Sequence, residues 1–286
     1  MRLIGYDREG IRRIGAVEGD RVRDLASVAD FYREPKRFMR GAGNESLALG
    51  GVRQVPPVPE TSRVFCVAIN YRAHAEEAMA IAGLEEPKLP EIFGRWASTL
   101  IVDGEPVGVP PLEPGLDWEV ELAVIIADTV WRATEDDALS HVLGYTAFND
   151  ITARNKQTAT RQFTLGKNAD FSGAIGPVVV TSDEIGDAGD LALSTKVNGE
   201  VMQQASTRDL IHSVPRIIAY ITDTVTLRPG DVIATGTPSG VGIGRTPPIF
   251  MNAGDVVEVE IEKIGRLTTP IVMHEAAEQY HANKRT

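Results

Sequence analysis

Short runs in which apolar and polar residues alternate begin the chain and predict β-strands. The segments MRLIGYD and IGAVEGDRVRDL show this period of two, and a helical stretch follows them. The segment VPPVPETS then carries Pro56, Pro57 and Pro59, which do not fit inside a helix or a central strand. We therefore predict a small N-terminal accessory domain over residues 1–58, a linker near residues 55–62 and a second domain over residues 63–286.

The second domain is predicted to be rich in strands. Its β-branched segments, bounded by Gly, Pro, Asp or Asn, are VFCVAIN, EVELAVIIA, GPVVVT, TKVNGEVM, DVIAT and VVEVEIE. Helices are predicted for NYRAHAEEAMAIAG between Asn70 and Gly83, for ATEDDALSHVLG between Thr134 and Gly144, and for STRDLIHSVPRIIAYIT, which Pro215 is expected to interrupt. Because strands and helices do not alternate regularly, we expect an α+β, β-rich fold and not a doubly wound parallel sheet.

Composition narrows the classes of partner. The 286 residues include 29 basic and 40 acidic side chains, a net charge of −11. This charge repels phosphate backbones and anionic lipid, so we expect neither nucleic acid nor a membrane surface as partner. A small anionic substrate would need a local positive centre. Hydrophobic residues make up 43% of the chain and charged residues 24%, which predicts a folded protein.

The cellular location is predicted from Cys66 and from the first residues. A single cysteine excludes an internal disulfide and a multi-cysteine zinc site, and it fits a reducing cytoplasm. The start MRLIGYDREG places charged residues where a secretory leader has its apolar core, and no apolar run approaches the about 20 residues of a membrane span. We therefore expect a cytoplasmic protein.

The segment LDWEVELAVII suggests a metal site. Asp117, Glu119 and Glu121 lie two residues apart, so on a strand they share one face, and such a group of carboxylates suits a hard cation such as Mg²⁺ or Mn²⁺. The segment VVEVEIE has glutamates at the same spacing, where they are expected to face solvent. Spacing alone therefore leaves a metal site and a solvated face both open.

Asp150, in GYTAFNDITARNKQ, offers another carboxylate at the end of an apolar run. It could end a strand beside the glutamate pair, or it could be an ordinary turn aspartate. The residues do not show whether the two segments are neighbours.

His74 and Glu77 lie three apart on the first predicted helix of the second domain. At this spacing the carboxylate can orient the imidazole and raise its basicity, which is the minimum for a base that activates water. The alternative is an exposed helical pair without a function.

Two cations and one glycine-rich turn complete the candidates. Lys167 in FTLGKNADF and Arg95 in EIFGRWAS could clamp a substrate carboxylate or stabilise developing negative charge, or could be surface cations. The turn GDVIATGTPSGVGIG lacks the Lys-Ser/Thr pair of a P-loop, so a nucleotide site is not expected there.

In this order, the segments resemble the fumarylacetoacetate hydrolase family. The resemblance covers about residues 63–265 and is carried by VFCVAINYRAHAEE, the PEIF stretch with Arg95, LDWEVELAVII, GYTAFNDITARNKQ, the Lys167 segment, TKVNGEVMQ and PGDVIATGTPSGVG. It implies a mixed β-roll catalytic domain, and a homodimer or a higher homo-oligomer.

The resemblance also implies roles for individual residues. A Mg²⁺ or Mn²⁺ cofactor would be held by Glu119, Glu121 and Asp150. The catalytic residues would be His74 and Glu77, the base pair on a short lid helix, and Lys167, which would stabilise an oxyanion. Substrate-binding positions would be Arg95, Arg154, Gln157 and Thr237.

The implied reaction is metal-dependent hydrolysis of a carbon-carbon bond in a 2,4-dioxo acid, which gives pyruvate and a carboxylic acid. Arg95 stands where many members of the family have Lys, which suggests a bidentate clamp on a second carboxylate, as in maleylpyruvate or fumarylpyruvate. The alternatives are an oxaloacetate-type decarboxylase or a keto-enol isomerase that passes through the same enolate, and a non-catalytic binder of metal and carboxylate.

Overall fold

A computed structural model describes residues 1–41, 45–83 and 86–285, and it confirms the α+β, β-rich class. Seventeen strands are found in this part of the chain. They are β1 Arg2–Arg8, β2 Ile11–Glu18, β3 Arg21–Ser27, β4 Ser46–Ala48, β5 Arg53–Val55, β6 Arg63–Ala68, β7 Glu91–Trp96, β8 Leu100–Ile101, β9 Val107–Val109, β10 Val120–Ile126, β11 Val142–Asp150, β12 Gly173–Thr181, β13 Ala192–Val197, β14 Glu200–Ser206, β15 Val232–Ala234, β16 Val256–Ile261 and β17 Gly265–Met273.

Helices are short and lie between the strands. They are α1 Val28–Phe31, α2 Pro35–Arg40, α3 Arg72–Ala82, α4 Arg154–Thr158, α5 Thr164–Lys167, α6 Ser182–Ile185, α7 Val214–Thr222 and α8 His274–Arg285. Short 3₁₀ turns include Ala138–His141 and Gly242–Gly244. In the described ranges no helix has the length and apolar character needed to cross a membrane.

Two mixed sheets form the body of the protein. The large sheet has the order β4-β3-β2-β1-β12-β11-β10-β15-β6-β7, with β5 beside β1 and β8 beside β12. The small sheet has the order β14-β13-β16-β17-β9. Every residue of β10 and β11 is buried, as expected for central strands that are covered on both faces. The most buried part of the sheet therefore carries the segment that holds Glu119 and Glu121.

The N-terminal strands extend the large sheet. Strand β1 pairs with β12 in antiparallel register, Arg2 opposite Val180. Leu3 and Phe31 share one hydrophobic cluster with Cys66. The division into domains 1–58 and 63–286 stays a prediction; the structure shows that the two segments are joined by strand pairing and by a shared core.

Four of the predicted elements differ in detail. TKVNGEVM is a hairpin of β13 and β14 that turns at Asn198 and Gly199, because this dipeptide suits a two-residue hairpin turn. ATEDDALSHVLG forms only the 3₁₀ turn Ala138–His141 before β11 begins. Pro215 does not interrupt a helix: it lies in the first turn of α7, where its missing N–H has no partner to lose.

Helix α3 forms as predicted, but it begins differently. Gly83 ends it, and Tyr71, which makes no side-chain cap, precedes its first residue. Asn70 is not the cap, because its buried amide donates to the carbonyls of His212 and Thr235 and accepts from the His212 N–H. Asn70 therefore ties the start of α3 to the segments before α7 and after β15.

Candidate active site

Glu119, Glu121 and Asp150 meet at one edge of the two central strands. Strands β10 and β11 are antiparallel, so the start of one lies beside the end of the other, with Val120 opposite Asn149. The backbone N–H of Asp150 donates to the carbonyl of Glu119 at 3.0 Å. One oxygen from each of the three carboxylates lies within 4.8 Å of the others, and all three side chains are buried. The segments that carry Asp150 and the glutamate pair, which the sequence alone could not relate, are therefore neighbours in the structure.

Lys167 lies between two of these carboxylates. It ends the short helix α5, and its Nζ is 2.6 Å from Glu119 Oε2 and 2.7 Å from Asp150 Oδ2. Its ammonium also faces the ring of Phe93, 5.4 Å from the centroid. A buried ammonium is stable only beside opposite charge, which these two carboxylates supply.

Arg154, the first residue of α4, contacts the carboxylates of Asp117 and Glu119. Its Nε donates to Asp117 Oδ2 at 2.7 Å, and its Nη2 lies 2.7 Å from Glu119 Oε1. Its Nη1 donates to Gln157 Oε1 at 2.7 Å, which orients that amide one helical turn along. Asp117 is thus a partner of Arg154 and is not grouped with the three metal candidates.

Arg95 does not lie where the predicted substrate clamp requires. It is 2% exposed, and its Nε and Nη2 lie 2.8 and 2.7 Å from Asp150 Oδ1. Its other donors reach the hydroxyls of Ser172 and Thr99 and the carbonyl of Ile151. Because these protein acceptors use the guanidinium, Arg95 orients Asp150 from behind and offers no donor to a ligand.

Burial and nearby charges together lower the pKa of Glu119 but raise the pKa of Glu121. Burial raises the pKa of Glu119, but the charges of Lys167 and Arg154 outweigh it and hold that pKa below its usual value. Burial, together with the charges of Asp150 and Glu119, raises the pKa of Glu121 well above its usual value. Its Oε2 accepts the N–H of Gly236 at 2.8 Å, and among the described residues it has no ion-pair partner.

The donor set fits a hard divalent cation. An octahedral Mg²⁺ ion binds oxygen at about 2.0–2.1 Å, so its ligand oxygens lie about 3–4 Å apart, and the three carboxylates need to close only slightly. Of the three carboxylates, Glu121 alone forms no ion pair with a described residue, and a bound cation would supply the missing charge. The same oxygen donors suit Mn²⁺.

His74 and Glu77 form a hydrogen-bonded pair on α3. His74 Nδ1 is 2.8 Å from Glu77 Oε2, and both side chains are largely buried. A carboxylate at Nδ1 favours the tautomer in which Nδ1 carries the proton and Nε2 is free to accept one. The geometry therefore fits the predicted base pair and not an exposed helical pair.

The glycine-rich segment after β15 forms one wall of the site. Gly236 adopts a φ of 99°, and a Cβ there would lie 2.8 Å from the Cβ of Asn70, so only glycine lets its N–H approach Glu121. Thr237 Oγ1 accepts from Gln203 Nε2 at 2.8 Å. Gln203 in turn accepts from the Val120 N–H at 3.1 Å, which fixes Thr237 relative to β10.

These elements enclose a cavity of about 340 Å³, here called the inner cavity. Its polar end is formed by His74, Glu119, Glu121, Arg154, Gln157, Lys167 and Thr237. Its apolar side is formed by Val67, Phe93, Phe163, Val241 and Ile243. Of the predicted site residues, Glu77 and Asp150 do not line this cavity but contact His74 and Lys167, which do, and Arg95 lies behind it.

Sequence reasoning missed several polar residues that shape the site. The sequence predicts Asn70 as a helix cap, and it gives Gln203, directly after TKVNGEVM, and Asn149, which accepts the Glu119 N–H at 3.0 Å, no individual role. The only signal available was a polar residue next to an apolar run, which is common in strands. Their partners lie far away along the chain, so the residues themselves could not identify them.

Comparisons with known proteins find relatives over most of the chain. A family model described as fumarylacetoacetate (FAA) hydrolase C-terminal matches residues 63–272. An oxaloacetate tautomerase of Bacillus subtilis is 38% identical over 257 residues, 89% of this chain and 84% of the relative. A 2,4-didehydro-3-deoxy-L-rhamnonate hydrolase of a Sphingomonas species is 37% identical over 271 residues, 93% of this chain and 94% of the relative.

A solved structure has the same fold. The fumarylacetoacetate hydrolase of Exiguobacterium antarcticum superposes with a TM-score of 0.82 at 34% identity, and the match covers 96% of this chain and 99% of that one. The likeness therefore extends over both the N-terminal strands and the strands that carry the carboxylates.

Proposed function

Since the chain belongs to the fumarylacetoacetate hydrolase family, we propose that it is a metal-dependent hydrolase that cleaves a carbon-carbon bond of a 2,4-dioxo acid. The products are pyruvate and a carboxylic acid. The observation that supports this reaction best is the position of His74, whose Nδ1 lies 2.8 Å from Glu77 Oε2, on the wall of the cavity that Glu119 and Glu121 also line. A base and a cation site on one cavity are what this hydrolysis requires.

Glu119, Glu121 and Asp150 would hold Mg²⁺ or Mn²⁺. When bound, the ion supplies Lewis-acid stabilisation of negative charge on the oxygens of a 2-oxo acid. In a chain of net charge −11, the cation also offsets the repulsion that an anionic substrate would meet.

His74 is the base in this proposal. With its Nδ1 proton donated to Glu77, its Nε2 takes a proton from water, and the hydroxide adds to the C4 carbonyl of the substrate. The C3–C4 bond then breaks, the bonding electron pair stays on the pyruvate fragment as its enolate, and a proton on C3 completes pyruvate. One water is consumed, and C4 becomes the carboxylic acid.

Lys167 stabilises the oxyanion that forms at C4. Two of its three N–H donors go to Glu119 and Asp150, so the third can donate towards the cavity. Thr237 and Gln157 are held by protein contacts on the opposite walls and can orient the substrate carboxylate. Such fixed donors lower the barrier because they need no reorganisation during the reaction.

The second candidate is keto-enol tautomerisation of oxaloacetate. It is favoured by a relative of this name at 38% identity, and it needs the same base to move a proton at C3 without adding water. Decarboxylation of oxaloacetate passes through the same enolate and remains the third outcome to test.

Product analysis separates these reactions. Purified protein with Mg²⁺ or Mn²⁺ is incubated with acetylpyruvate and with oxaloacetate, and the products are resolved by chromatography. Acetate and pyruvate in equal amounts from acetylpyruvate support hydrolysis. Faster keto-enol exchange of oxaloacetate without fragments supports the tautomerase, and release of CO₂ supports the decarboxylase. If none of these occurs with either metal, a non-catalytic binder is the better description.

Other expectations from the sequence stay predictions. They are the cytoplasmic location, the homodimer or higher assembly, and the absence of nucleic acid and membrane partners.

A further inference from the structure

A second cavity adjoins the inner cavity. It has a volume of about 580 Å³, is here called the outer cavity, and shares the lining residues Ala68, Phe93 and Phe163 with the inner one. The two phenyl rings meet edge to face with centroids 5.7 Å apart. Phe93 therefore faces the ammonium of Lys167 on one side and borders the outer cavity on the other.

The walls of the outer cavity continue those of the inner one. Thr160 lines the inner cavity and the next residue, Arg161, lines the outer cavity. The turn between them is fixed, because the N–H of Gln162 donates to Thr160 Oγ1 at 3.2 Å. On the opposite wall, the buried Pro87 accepts from His212 Nε2 at 3.2 Å and holds the segment that carries Lys88.

The cations that line the outer cavity are unpaired, whereas those of the inner cavity are paired with carboxylates. Lys88 and Arg161 are exposed and form no ion pair with any described residue, and Glu91 is the single acidic residue among those that line this cavity. In the inner cavity, by contrast, Arg154 and Lys167 are already paired with carboxylates. Among the described residues that line the two cavities, unpaired positive charge for a second substrate carboxylate therefore lies at Lys88 and Arg161, beyond the phenylalanine pair.

We propose that the outer cavity binds the distal carboxylate of a dicarboxylic 2-oxo acid, through Lys88 and Arg161. The 2-oxo acid end lies in the inner cavity, and the carbon chain runs along the shared wall formed by Ala68 and the Phe93–Phe163 pair. This inference rests on the proposed function and specifies its substrate class. It gives Lys88 and Arg161 the role that the sequence predicted for Arg95, which is occupied with Asp150.

Binding of two non-cleavable probes tests the proposal without turnover. 2-Oxoadipate and 2-oxohexanoate have the same chain length and differ in the distal carboxylate, and their affinities are measured by calorimetry with Mg²⁺ present. We expect the wild-type protein to favour 2-oxoadipate, and the Lys88→Glu/Arg161→Glu variant to reduce that preference about tenfold. Arg40→Glu, an exposed cation that lines neither cavity, is the control for the general change in charge.

Equal affinities of the wild type for the two probes, or an unchanged preference in the double variant, would overturn the subsite. So would an equal loss in the Arg40→Glu control. A cleavage assay tests the proposed function separately, with 2,4-dioxoheptanedioate and 2,4-dioxoheptanoate as substrates. If the wild type cleaves neither of them, the proposed function fails, whatever the binding preference. If both are cleaved, we expect the dicarboxylate to have the lower KM and the double variant to lose that difference.

Discussion

The carboxylate of Glu77 joins helix α3 to the glycine-rich loop. Its Oε1 accepts the backbone N–H of Gly240 at 3.1 Å, while its Oε2 lies 2.8 Å from His74 Nδ1. On its far side the same loop is held by Asp117, which accepts the N–H groups of Gly242 and Ile243. The orientation of the His74 imidazole therefore depends on a loop that Asp117 also connects to Arg154.

Replacing Glu77 by Gln tests its role in orienting His74. The Gln side chain can still accept from Gly240, but it would present an N–H to His74 Nδ1 and favour the opposite tautomer. We expect kcat to fall by about 10²–10⁴-fold, the usual contribution of a positioned base, with Mg²⁺ affinity nearly unchanged. Steady-state kinetics and metal titration measure the two effects.

Glu76→Gln is the matched control, because the neighbouring glutamate is exposed and contacts no part of the cavity. If Glu77→Gln keeps its kcat, or if Glu76→Gln loses it equally, the dyad has no part in the reaction.

Gly244 leaves room for the Glu77 carboxylate. A Cβ at Gly244 would lie 2.2 Å from Glu77 Oε1, so Gly244→Ala must displace that oxygen. The end of a glutamate side chain moves easily, and we therefore expect a small loss of stability but a clear loss of kcat. Gly50→Ala is the control, because a Cβ there meets no atom within 4 Å. A Gly244→Ala enzyme with full activity would show that the Glu77–Gly240 contact does not position His74.

Arg95→Met tests whether this residue orients Asp150 or clamps the substrate. The buried carboxylate of Asp150 has two cationic partners, Arg95 and Lys167, and the substitution removes the first. Losing a partner of a buried charge costs about 3–5 kcal/mol of unfolding free energy. Urea denaturation measures the loss, and Arg33→Met, which removes an exposed pair with Asp30, is expected to cost at most about 1 kcal/mol.

The substrate dependence of the Arg95→Met variant separates the two roles. Because Arg95 does not line the inner cavity, its effect on KM should be the same for substrates with and without a distal carboxylate. A loss confined to the dicarboxylic substrate would restore the clamp that the sequence suggested.

The strands of this fold could be predicted because their apolar residues recur locally, but contacts between distant segments could not. VVEVEIE and LDWEVELAVII have the same spacing of acidic residues, yet Glu258 and Glu260 pair with Arg266 at the surface whereas Glu119 and Glu121 are buried. Which of two such strands lies in the centre of a sheet is decided by its neighbours. The family resemblance supplied this information for β10; hydrophobic periodicity did not.

Arg95 shows the limit of transferring a role by residue type. Arginine suits a bidentate contact with a carboxylate, and the structure contains such a contact, but the carboxylate is that of Asp150. Burial of the side chain was not visible in the sequence, because EIFGRWAS alternates only weakly.

Glu121→Gln tests the metal site at the carboxylate that forms no ion pair within the described part of the chain. The amide can still accept the Gly236 N–H, so we expect the metal-free protein to be as stable as the wild type, or more so. In the wild type, Mg²⁺ at 100 times its Kd should add about 2.7 kcal/mol of stability, and the variant should lose most of this gain. Thermal denaturation with EDTA and with added Mg²⁺ measures both states.

Glu258→Gln is the control for Glu121→Gln, because Glu258 lies on a surface strand whose acidic residues have the same two-residue spacing. It should keep the full response to Mg²⁺, because Glu258 pairs with Arg266 and lies outside the inner cavity. Activity that is indifferent to the cycle of EDTA and Mg²⁺ in the wild type would remove the metal from the mechanism.

A partly buried cluster in the N-terminal strands predicts how stability depends on pH. Tyr6 Oη donates to Asp24 Oδ1 at 2.5 Å, and Arg13 Nη2 lies 2.5 Å from Asp24 Oδ2. Burial and the hydrogen bond to Asp24 raise the pKa of Tyr6 to about 12. Burial raises the pKa of Asp24 as well, but the contacts with Arg13 and Tyr6 outweigh this and leave it lowered.

The alkaline side of this cluster can be tested with Tyr6→Phe. The folded-state pKa of Tyr6 exceeds its unfolded value of about 10. The contribution of the Tyr6 hydroxyl to the free energy of unfolding is therefore fully present below pH 10 and is lost as pH rises through about 12. We therefore expect the wild type to exceed Tyr6→Phe in unfolding free energy at pH 8, and this difference to shrink by pH 11.5. Urea denaturation at both pH values measures it, with the exposed Tyr220→Phe as control. A difference between wild type and Tyr6→Phe that stays constant from pH 8 to pH 11.5 would mean that the Tyr6 proton is not held by Asp24.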